Sequence, residues 1–493
     1  MKRTISMILA IVMMLGMFCM TASAENATLA ALDIQMLDGA SIRVGTVAGI
    51  RYSTLINKAQ LDALTENNTV EIGTIIAPTQ YVTDAGAFTM AALDQFKTEN
   101  NIENATYVKV PATVGTPLKT VTVDETEYYV YAGSLENIKD ANQTLAFSGI
   151  GYVKIGEDVV YATYNNTNSR SVGYVAYRAY MDPDFKAEFG TDGQGLIDDF
   201  AVAYLKTGVT IYSEDFSGYT DIARDAFDKT PTYAEYLANN TIAFPHLNWI
   251  NSTTEGENAA DETAAVMNAL GWSTVKVDVK GWDGKEYMRI TKDGKLYWYN
   301  WGTNYPPTYK DSFGGNCSIT RIDALNGDHM DLVAQAGYTL QYDVMFTADT
   351  GYKSSNFGMG THLNKGNAQY YGLYPDGGTE VYTLTDCATV KKQFGASYSN
   401  VLGLTGSTGK GESATYAPDY NTVLENVQLT VKQVVGADGS VTYYIKTAEM
   451  NEFYCIGTAQ DMATTGGNGI GFICNNIINA YIDNISVTTH TAA

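Results

Sequence analysis

Two hydrophobic periods alternate along residues 25 to about 208. Runs rich in β-branched and aromatic residues are typical of strands, and apolar positions three and four apart are typical of helices. Asn57 is suited to cap the first helix, and Gly208 follows the last. The strand runs are GIRYSTLI, EIGTIIAP, ATYVKVPA and EYYVYAGSL, and the helical runs are NKAQLDALTEN, TMAALDQFKTEN, SRSVGYVAYRAYMD and GLIDDFAVAYLKTG. This half of the chain therefore predicts an α+β domain over residues 25–208.

The pattern changes near residue 209, after which short strands dominate. Apart from YAEYLA and ADETAAVMNALG, the helical spacing disappears. Asp-Gly pairs at 283–284, 293–294 and 438–439 separate strand-like runs, and this dipeptide is a strong local signal for a hairpin. Many short strands joined by hairpins predict an all-β antiparallel jelly-roll sandwich over residues 209–493. We expect a two-domain protein with a short joint.

The first 24 residues have the pattern of a secretory signal peptide. Lys2 and Arg3 precede the apolar run ISMILAIVMMLGMFCM, and small residues stand at Ala22 and Ala24. The apolar run is short for a permanent membrane span, which needs about 20 residues. We therefore expect cleavage after Ala24, no membrane insertion, and a secreted, extracellular product that is either free or associated with the cell surface.

Composition and charge favour the same location. The chain has 31 Lys and Arg against 54 Asp and Glu, a net charge of −23, and is rich in Tyr and Gly. A surface of this sign repels nucleic acid and anionic lipid, so neither is an expected partner. Only 17% of the residues are charged, which is typical of extracellular β proteins. The oligomeric state is left open.

Four cysteines remain after the signal peptide: Cys317, Cys387, Cys455 and Cys474. An even number outside the cell is compatible with disulfides, in any of three pairings. Cys474 alternates with Ile470 and Phe472, however, which is also typical of a small buried hydrophobic residue. Both interpretations stay open.

A dense aromatic segment, TKDGKLYWYNWGTNY, follows the strand KEYMRIT. A three-residue KDG loop with Gly294 in the left-handed conformation would place Ile290 opposite Leu296 and Met288 opposite Trp298. A two-residue Asp-Gly turn would shift this pairing by one residue. We favour the first register, because it separates wholly apolar side chains from amphipathic ones.

In the favoured register, one face of this hairpin gathers flat rings around an arginine. Sugar C–H groups can pack on ring faces, while polar groups bond the hydroxyls. The face therefore indicates a carbohydrate-binding site, and a Pro-rich loop extends it. The alternative is that protein covers both faces and the rings are packing. The residues of this site are Tyr287, Arg289, Tyr297, Tyr299, Trp301 and, in the loop, Tyr305.

The ends of the second half, IYSEDFSGY and AYIDNISVT, resemble those of lectin-like jelly-roll domains, including concanavalin-like sandwiches and carbohydrate-binding modules. The resemblance implies that the terminal strands lie side by side. It also implies that Glu214, Asp215 and Asp483 lie near one structural calcium ion, with backbone carbonyls and water completing its six to eight oxygen ligands. The alternative is that Asp483 only caps or solvates a strand end.

Most of residues 39 to 180 resembles a module that recurs in secreted proteins of Gram-positive gut bacteria. The segments that carry this resemblance are ASIRVGTVAGIRYSTLI, IGTIIAP, YAGSLENIKDANQTLAFSGIGYVKI and RSVGYVAYRA. It implies a Gram-positive bacterial source and export, and it implies no chemistry.

Motifs for enzymes do not match. GLTGSTGKG has Gly411 where a phosphate loop needs Ser or Thr, and TGSTG lacks the first glycine of a nucleophile elbow. Four histidines, at positions 246, 329, 362 and 490, include no HExxH pair. We therefore expect no catalytic residues and a non-catalytic protein that binds polysaccharide or another glycan. The alternatives are a glycan-cleaving hydrolase or lyase, whose carboxylate pair folding would bring together, and a structural or adhesive surface protein.

Overall fold

The structure is a computed structural model, and it describes thirteen stretches of the chain. These are residues 28–44, 47–182, 194–219, 221–224, 253–275, 285–301, 318–346, 356–374, 378–385, 388–397, 427–460, 466–475 and 478–492. No helix among these residues is long and apolar enough to cross a membrane.

The chain forms two compact units that divide near Ser171. Unit 1 consists of residues 1–139 and 145–171, and unit 2 consists of residues 140–144 and 172–493. The division lies earlier than the joint expected near residue 209, so two helices expected in the first domain belong to unit 2. The reason is long-range hydrogen bonding: Thr489 Oγ1 donates to the Leu205 carbonyl, and Ala492 N donates to the Lys206 carbonyl at 2.8 Å. The end of the chain thereby holds the end of the second helix.

Unit 1 contains ten strands and three α-helices among its described residues. The helices are α1 Lys58–Asn67, α2 Thr79–Asp84 and α3 Met90–Glu99. The strands are β1 Ile34–Met36, β2 Ser41–Arg43, β3 Gly49–Asn57, β4 Val70–Pro78, β5 Val108–Ala112, β6 Lys119–Val123, β7 Thr126–Glu136, β8 Phe147–Ile155, β9 Asp158–Tyr161 and β10 Ser169–Arg170. Short 3₁₀ turns cover Leu29–Ala31 and Asn166–Asn168.

Side-chain caps begin two of these helices, and the cap at Asn57 is the one that the sequence predicts. The Asn57 side chain accepts a hydrogen bond from Gln60 N at 3.1 Å, and Thr89 Oγ1 accepts one from Ala92 N at 3.2 Å. Each cap satisfies an amide that has no partner within its helix.

Two antiparallel sheets make up unit 1, with the orders β1-β3-β7-β6 and β10-β8-β4-β5; β2 also pairs with β3, and β9 with β8. Strands β3 and β8 approach so closely that glycine is required. A Cβ on Gly149 would overlap the Tyr52 ring, and one on Gly151 would overlap Thr54. The SGIG segment of β8 therefore receives side chains from the other sheet.

Unit 2 has four described α-helices: two precede its first strand in the chain, and two come later between strands. They are α4 Val172–Met181, α5 Gln194–Leu205, α6 Thr253–Leu270 and α7 His329–Ala336, with 3₁₀ turns at Asp140–Asn142 and Asp323–Leu325. Helix α7 was not predicted, because an eight-residue segment holds barely two turns of apolar periodicity.

Sixteen strands of unit 2 are described. They are β11 Thr210–Glu214, β12 Ala223–Arg224, β13 Trp272–Thr274, β14 Lys285–Thr291, β15 Leu296–Trp301, β16 Ser318–Ile322, β17 Tyr338–Phe346, β18 Asn356–Asn364, β19 Asn367–Leu373, β20 Gly378–Thr385, β21 Ala388–Ser397, β22 Gln428–Val435, β23 Val441–Thr447, β24 Tyr454–Ala459, β25 Gly469–Asn475 and β26 Ile478–Thr489.

These strands form two sheets. The large sheet has the order β12-β14-β15-β26-β17-β22-β23-β24, with β11 also paired to β26, and the small sheet has the order β13-β16-β25-β18-β19-β20-β21. Strands β11 and β26 are antiparallel neighbours, as the resemblance implied. All pairings are antiparallel except the short one between β12 and β14.

The two sheets pack face to face through aromatic side chains. Phe472 of the small sheet is fully buried, and its ring centroid lies 5.4 Å from that of Trp298 and 5.9 Å from that of Tyr342, both in the large sheet. Tyr371 stacks on Tyr443 across the same interface at 4.6 Å. Unit 2 is thus a β-sandwich, as predicted; its assignment as a jelly roll stays a prediction.

The hairpin β14–β15 adopts the favoured register. Ile290 pairs with Leu296 and Met288 with Trp298. Thr291 N donates to the Lys295 carbonyl at 2.9 Å, and Gly294 has φ 75°. The three-residue KDG loop is therefore confirmed.

Two of the four cysteines lie within the described residues: Cys474 is buried and Cys455 is exposed. Cys474 packs as a small hydrophobic residue, which was one of the two interpretations. Cys317 and Cys387 lie outside the described residues.

Substitution Gly294→Ala is expected to destabilise unit 2. A left-handed conformation costs about 1–2 kcal/mol for a residue with a Cβ, and the new Cβ would lie 3.2 Å from Ser217 Cα. Urea unfolding followed by tryptophan fluorescence reports on this unit, because all five tryptophans lie between residues 249 and 301.

Gly439→Ala is the matched control. Gly439 has φ 80°, and its nearest neighbour would be His362 Nε2 at 4.0 Å, so only the backbone cost applies. We expect Gly294→Ala to lower the unfolding midpoint further than Gly439→Ala. Equal midpoints would contradict the close packing of the KDG loop against Ser217.

Candidate functional site

The aromatic hairpin does not present its central residues to solvent. Tyr297 is 2% exposed, and its ring centroid lies 5.0 Å from that of Tyr481 on β26. Arg289, directly opposite, donates to Glu262 Oε2 of helix α6 from Nη2 at 2.8 Å and from Nε at 3.1 Å. A glycan contact by Tyr297 and Arg289 stays a prediction, and it would have little exposed surface to use, because a neighbouring strand and a helix already contact these side chains.

The other residues of the predicted aromatic site remain predictions. Tyr287 pairs with Tyr299, and Lys285 with Trp301, toward the open end of the hairpin. The side chains of Tyr287, Tyr299 and Trp301, and the whole of Tyr305, lie outside the described part of the chain.

The carboxylates proposed to hold calcium bond mainly to their own segments. Glu214 accepts hydrogen bonds from Phe216 N and from the Tyr219 hydroxyl, both at 2.7 Å. Asp215 Oδ1 accepts two bonds from Ser217, which lower the pKa of this carboxyl.

These residues do not form a group that fits a metal ion. No set of three or more His, Cys, Asp or Glu side chains among the described residues is arranged to hold one. Calcium near Glu214, Asp215 and Asp483 stays a prediction from the resemblance.

Asp483 lies directly opposite a second carboxylate, Asp343, across β17 and β26. Burial is the main cause that raises the pKa of Asp483, and the charges of Asp343 and Asp215 raise it further; the Asn484 amide and Lys295 act in the opposite direction. The Asp343 carboxylate is held by hydrogen bonds from Thr430, Gln428 and Asn484.

The described histidines occupy structural positions. His329 shares a 2.9 Å hydrogen bond with the Ala324 carbonyl. Burial lowers the pKa of His362 to about 4 and also lowers the pKa of His490, which bonds Thr339. His246 lies outside the described residues.

A different ring-bearing surface lies at the far end of the large sheet. In β22 and β23 the side chains alternate between the sandwich interior and the outer face, as period-two strands require. Leu429, Val431, Tyr443 and Ile445 are buried, whereas Lys432 and Tyr444 are half-buried on the outer face. Lys432 and Tyr444 are direct cross-strand partners, and Thr430 is the partner of Lys446.

Two lysines and two rings come together on this face, and we name them the lysine–aromatic patch: Lys432, Tyr444, Lys446 and Phe453. The Lys432 Nζ lies 4.4 Å from the Tyr444 ring centroid and 4.2 Å from that of Phe453. The Lys446 Nζ lies 4.9 Å from the Phe453 centroid. Cation–π attraction holds both ammonium groups against the rings.

The patch is locally cationic. Neither Lys432 nor Lys446 forms an ion pair with a described residue, and partial burial together with the charge of Lys446 lowers the pKa of Lys432. A negatively charged group placed here would relieve the repulsion between the two ammonium groups and would complete their hydrogen bonding.

Neutral polar side chains continue this face. Gln341 on β17 is the cross-strand partner of Lys432, and Ser486 on β26 is the partner of Gln341 on its other side. Thr442 and Thr458 share a hydroxyl hydrogen bond at 2.9 Å. The surface can thus bind anionic groups with ammonium donors and hydroxyl groups with amide and hydroxyl partners.

Part of this site was readable from the sequence. The alternation in VQLTVKQVV and SVTYYIKT, around the Asp438–Gly439 turn, places Lys432 opposite Tyr444. Phe453 comes from the connection before β24, and only the folded chain brings its ring to Lys432.

No family model and no curated protein matches the chain. Solved structures that are similar in part include carbohydrate-binding module CBM66 from Bacillus subtilis, with 11% identity, 44% of this chain and 96% of that chain covered, and a TM-score of 0.26. A GH43 protein from Bacillus licheniformis has 14% identity, 44% and 37% coverage, and a TM-score of 0.25.

A botulinum neurotoxin serotype D binding domain is similar to the same extent, with 11% identity, 45% and 48% coverage, and a TM-score of 0.25. The chain spans less than half the length of this structure and of the GH43 structure. Likenesses at these TM-scores carry no argument about function.

Substitution Asp483→Asn is expected to stabilise unit 2 at neutral pH. A carboxyl whose folded pKa is raised makes an unfavourable contribution that grows as pH rises from the unfolded pKa through the folded pKa, and is complete above it. Removing this charge should raise the free energy of unfolding at pH 7 by up to about 1 kcal/mol, since the site is partly exposed. Urea unfolding at pH 4 and pH 7 measures the effect.

Asp438→Asn is the control with the opposite sign. Hydrogen bonds from Ser440 lower the pKa of Asp438, so its charged form stabilises the fold at neutral pH and that contribution is lost as pH falls. We expect Asp438→Asn to destabilise at pH 7. Destabilisation by Asp483→Asn at pH 7 would contradict the raised pKa of Asp483, which burial and the neighbouring carboxylates cause.

Proposed function

We propose that this chain is an exported, non-catalytic carbohydrate-binding protein that engages acidic polysaccharide through the lysine–aromatic patch of its β-sandwich. The observation that carries the proposal is the packing of Lys432 between two rings, 4.2 Å and 4.4 Å from their centroids, on an outward face. Export is supported by the basic and apolar start of the sequence and by its small residues before Glu25.

The rings and the lysines suit different parts of an acidic sugar. Tyr444 and Phe453 provide flat apolar surface for the C–H groups of a pyranose ring. The ammonium groups of Lys432 and Lys446 provide charge-assisted hydrogen bonds for a carboxylate or sulfate group. Because cation–π contacts already restrain both lysines, less side-chain freedom is lost on binding.

The polar neighbours extend the surface beyond one sugar unit. Gln341 and Ser486 follow Lys432 across the sheet, and the hydroxyls of Thr442 and Thr458 lie on the adjacent row. Neighbouring strands lie roughly 4.8 Å apart, so this row spans several strands. A flat surface of this kind suits a chain of sugars better than a single one.

The protein's overall negative charge opposes binding of a polyanion anywhere except at the patch. With a net charge of −23, most of the surface repels a polyanion, whereas the patch attracts it. An acidic polysaccharide is therefore expected to bind at the patch alone, and the attraction should weaken as salt shortens the Debye length.

Binding to immobilised polysaccharides tests the proposal. The panel contains polygalacturonate, alginate and chondroitin sulfate as acidic probes, and hydroxyethylcellulose and galactomannan as neutral ones. We expect acidic probes to bind more tightly, with weaker binding at higher salt. The double substitution of Lys432→Gln and Lys446→Gln should reduce affinity for the best probe by roughly tenfold or more, since a hydrogen bond to a charged group contributes about 1.5–3 kcal/mol.

Lys365→Gln is the matched control. Lys365 is an exposed lysine of the same unit, in the β18–β19 turn of the small sheet. We expect its substitution to leave affinity unchanged. Equal losses from Lys365→Gln and from the patch variant would place binding elsewhere, and the absence of binding to every probe would reject the proposed function.

Cys455 provides an independent probe of location. It is exposed, and it is the cross-strand partner of Tyr444. A bulky maleimide on Cys455 should block polysaccharide binding, whereas the Cys455→Ser protein treated in the same way should still bind. Full binding by maleimide-treated wild-type protein would contradict a site on this face. Release of reducing ends during any of these incubations would instead favour a glycan-cleaving enzyme.

A further inference from the structure

A cleft of about 440 Å³ opens on the surface of unit 1 beside helix α2. Its volume falls within the range of small-molecule sites. Hydroxyl, amide and aromatic side chains line it: Thr79, Thr83, Phe88, Tyr164, Asn166 and Ser169. No function assigned above uses this cleft.

Three hydroxyl groups of the lining, those of Thr79, Ser169 and Tyr164, are joined into one hydrogen-bonded chain through the hydroxyl of the fully buried Ser148. Thr79 Oγ1 is 2.8 Å from Ser169 Oγ and 2.9 Å from Ser148 Oγ, and Ser148 Oγ is 3.0 Å from the Tyr164 hydroxyl. Each hydroxyl has one donor and two acceptor sites, and three mutual hydrogen bonds use three donors. The chain is left with about one donor and five acceptor sites, and those outside the buried Ser148 face a ligand. Because acceptors outnumber donors, the chain is best completed by a ligand that donates hydrogen bonds.

Two further lining residues, Thr83 and Asn166, also offer acceptor atoms to a ligand that donates hydrogen bonds. The Thr83 hydroxyl donates to the Thr79 carbonyl at 3.1 Å, so only its acceptor sites remain. The Asn166 side chain is exposed and makes no hydrogen bond with a described residue, so its amide can both donate and accept.

Two aromatic rings also line the cleft. The rings of Phe88 and Tyr164 meet edge to face, with centroids 5.3 Å apart at 88°. Phe88 is nearly buried and Tyr164 is half-buried, so the rings present a fixed apolar surface beside the hydroxyl chain. Such a combination accommodates the C–H groups of a ligand whose hydroxyls meet the neighbouring hydroxyl chain.

Formal charge is absent from the lining. The cleft residues are Thr, Val, Gly, Ala, Phe, Tyr, Asn and Ser, with no Asp, Glu, Lys, Arg or His among them. A charged ligand would lose hydration on entering and find no opposite charge in return. This electrostatic character differs from that of the lysine–aromatic patch in unit 2.

We propose that this cleft is a second ligand site, which binds an uncharged polyhydroxylated molecule such as one neutral sugar residue or a cyclic polyol. The proposal does not depend on the proposed function of unit 2. It assigns a binding role to unit 1, for which the sequence indicated neither a ligand nor an activity.

Ligand-observed saturation-transfer NMR on the full chain tests this assignment. The probes are methyl β-glucopyranoside, methyl β-galactopyranoside and myo-inositol, with glucuronate as an anionic probe and choline as a cationic one. We expect at least one neutral probe to bind in the millimolar range, with no change between low and high salt. Binding of a glycoside but not of inositol would identify a sugar site. Binding of inositol but of neither glycoside would identify a polyol site.

Two variants locate the site. Ala87 is an exposed residue of the lining, and Ala87→Trp would fill the cleft. It should reduce affinity by at least tenfold. Thr83→Val keeps the shape of the side chain and removes its acceptor sites, and it should reduce affinity a few-fold.

Thr98→Val is the matched control for Thr83→Val. Thr98 is an exposed threonine of α3 that donates to the carbonyl four residues before it, as Thr83 does, and it does not line the cleft. Its substitution should leave affinity unchanged. No binding of any neutral probe, tighter binding of glucuronate or choline, or full affinity in Ala87→Trp would each overturn the proposal.

These outcomes are separable from those of the polysaccharide test. Ala87→Trp and Thr83→Val change unit 1 alone and should leave binding of acidic polysaccharide intact. The substitutions of Lys432 and Lys446 change unit 2 alone and should leave binding of the neutral probes intact.

Discussion

The pairing of strands β14 and β15 around Gly294 is the constraint on which the aromatic side of the sandwich depends. A strand sends successive side chains to opposite faces, so a shift of one residue would exchange the two faces completely. With Gly294 at φ 75°, Met288 and Trp298 enter the interior, where Trp298 meets Phe472 of the small sheet. Arg289 and Tyr297 must then lie on the outer face.

An outer face is not the same as an exposed face, and unit 2 shows both cases. At the hairpin, Glu262 of helix α6 pairs with Arg289, and Tyr481 packs on Tyr297. At β22 and β23 the outward residues Lys432 and Tyr444 stay partly exposed. The most aromatic segment of the chain is therefore largely packing at its centre, whereas a less conspicuous pair of strands carries the surface proposed to bind.

The two proposed sites differ in charge, and this difference follows from the residues that surround them. Lys432 and Lys446 make the lysine–aromatic patch positively charged on a strongly acidic protein, and a positively charged patch suits an extended polyanion. The cleft of unit 1 has no formal charge in its lining and a surplus of hydroxyl acceptors, which suits a small neutral donor. A protein with both sites would hold one glycan chain at unit 2 while sampling small sugars at unit 1.

The sequence by itself determined the local elements. The cap at Asn57, the left-handed Gly294 and the register of its hairpin all follow from interactions a few residues apart, and the structure confirms them. Only the tertiary structure decided where the units divide, because hydrogen bonds from Thr489 and Ala492 to the end of α5 join residues more than 280 positions apart. It also decided which rings are covered and brought Phe453 to Lys432, since periodicity assigns a side chain to a face but carries no information about what packs on that face.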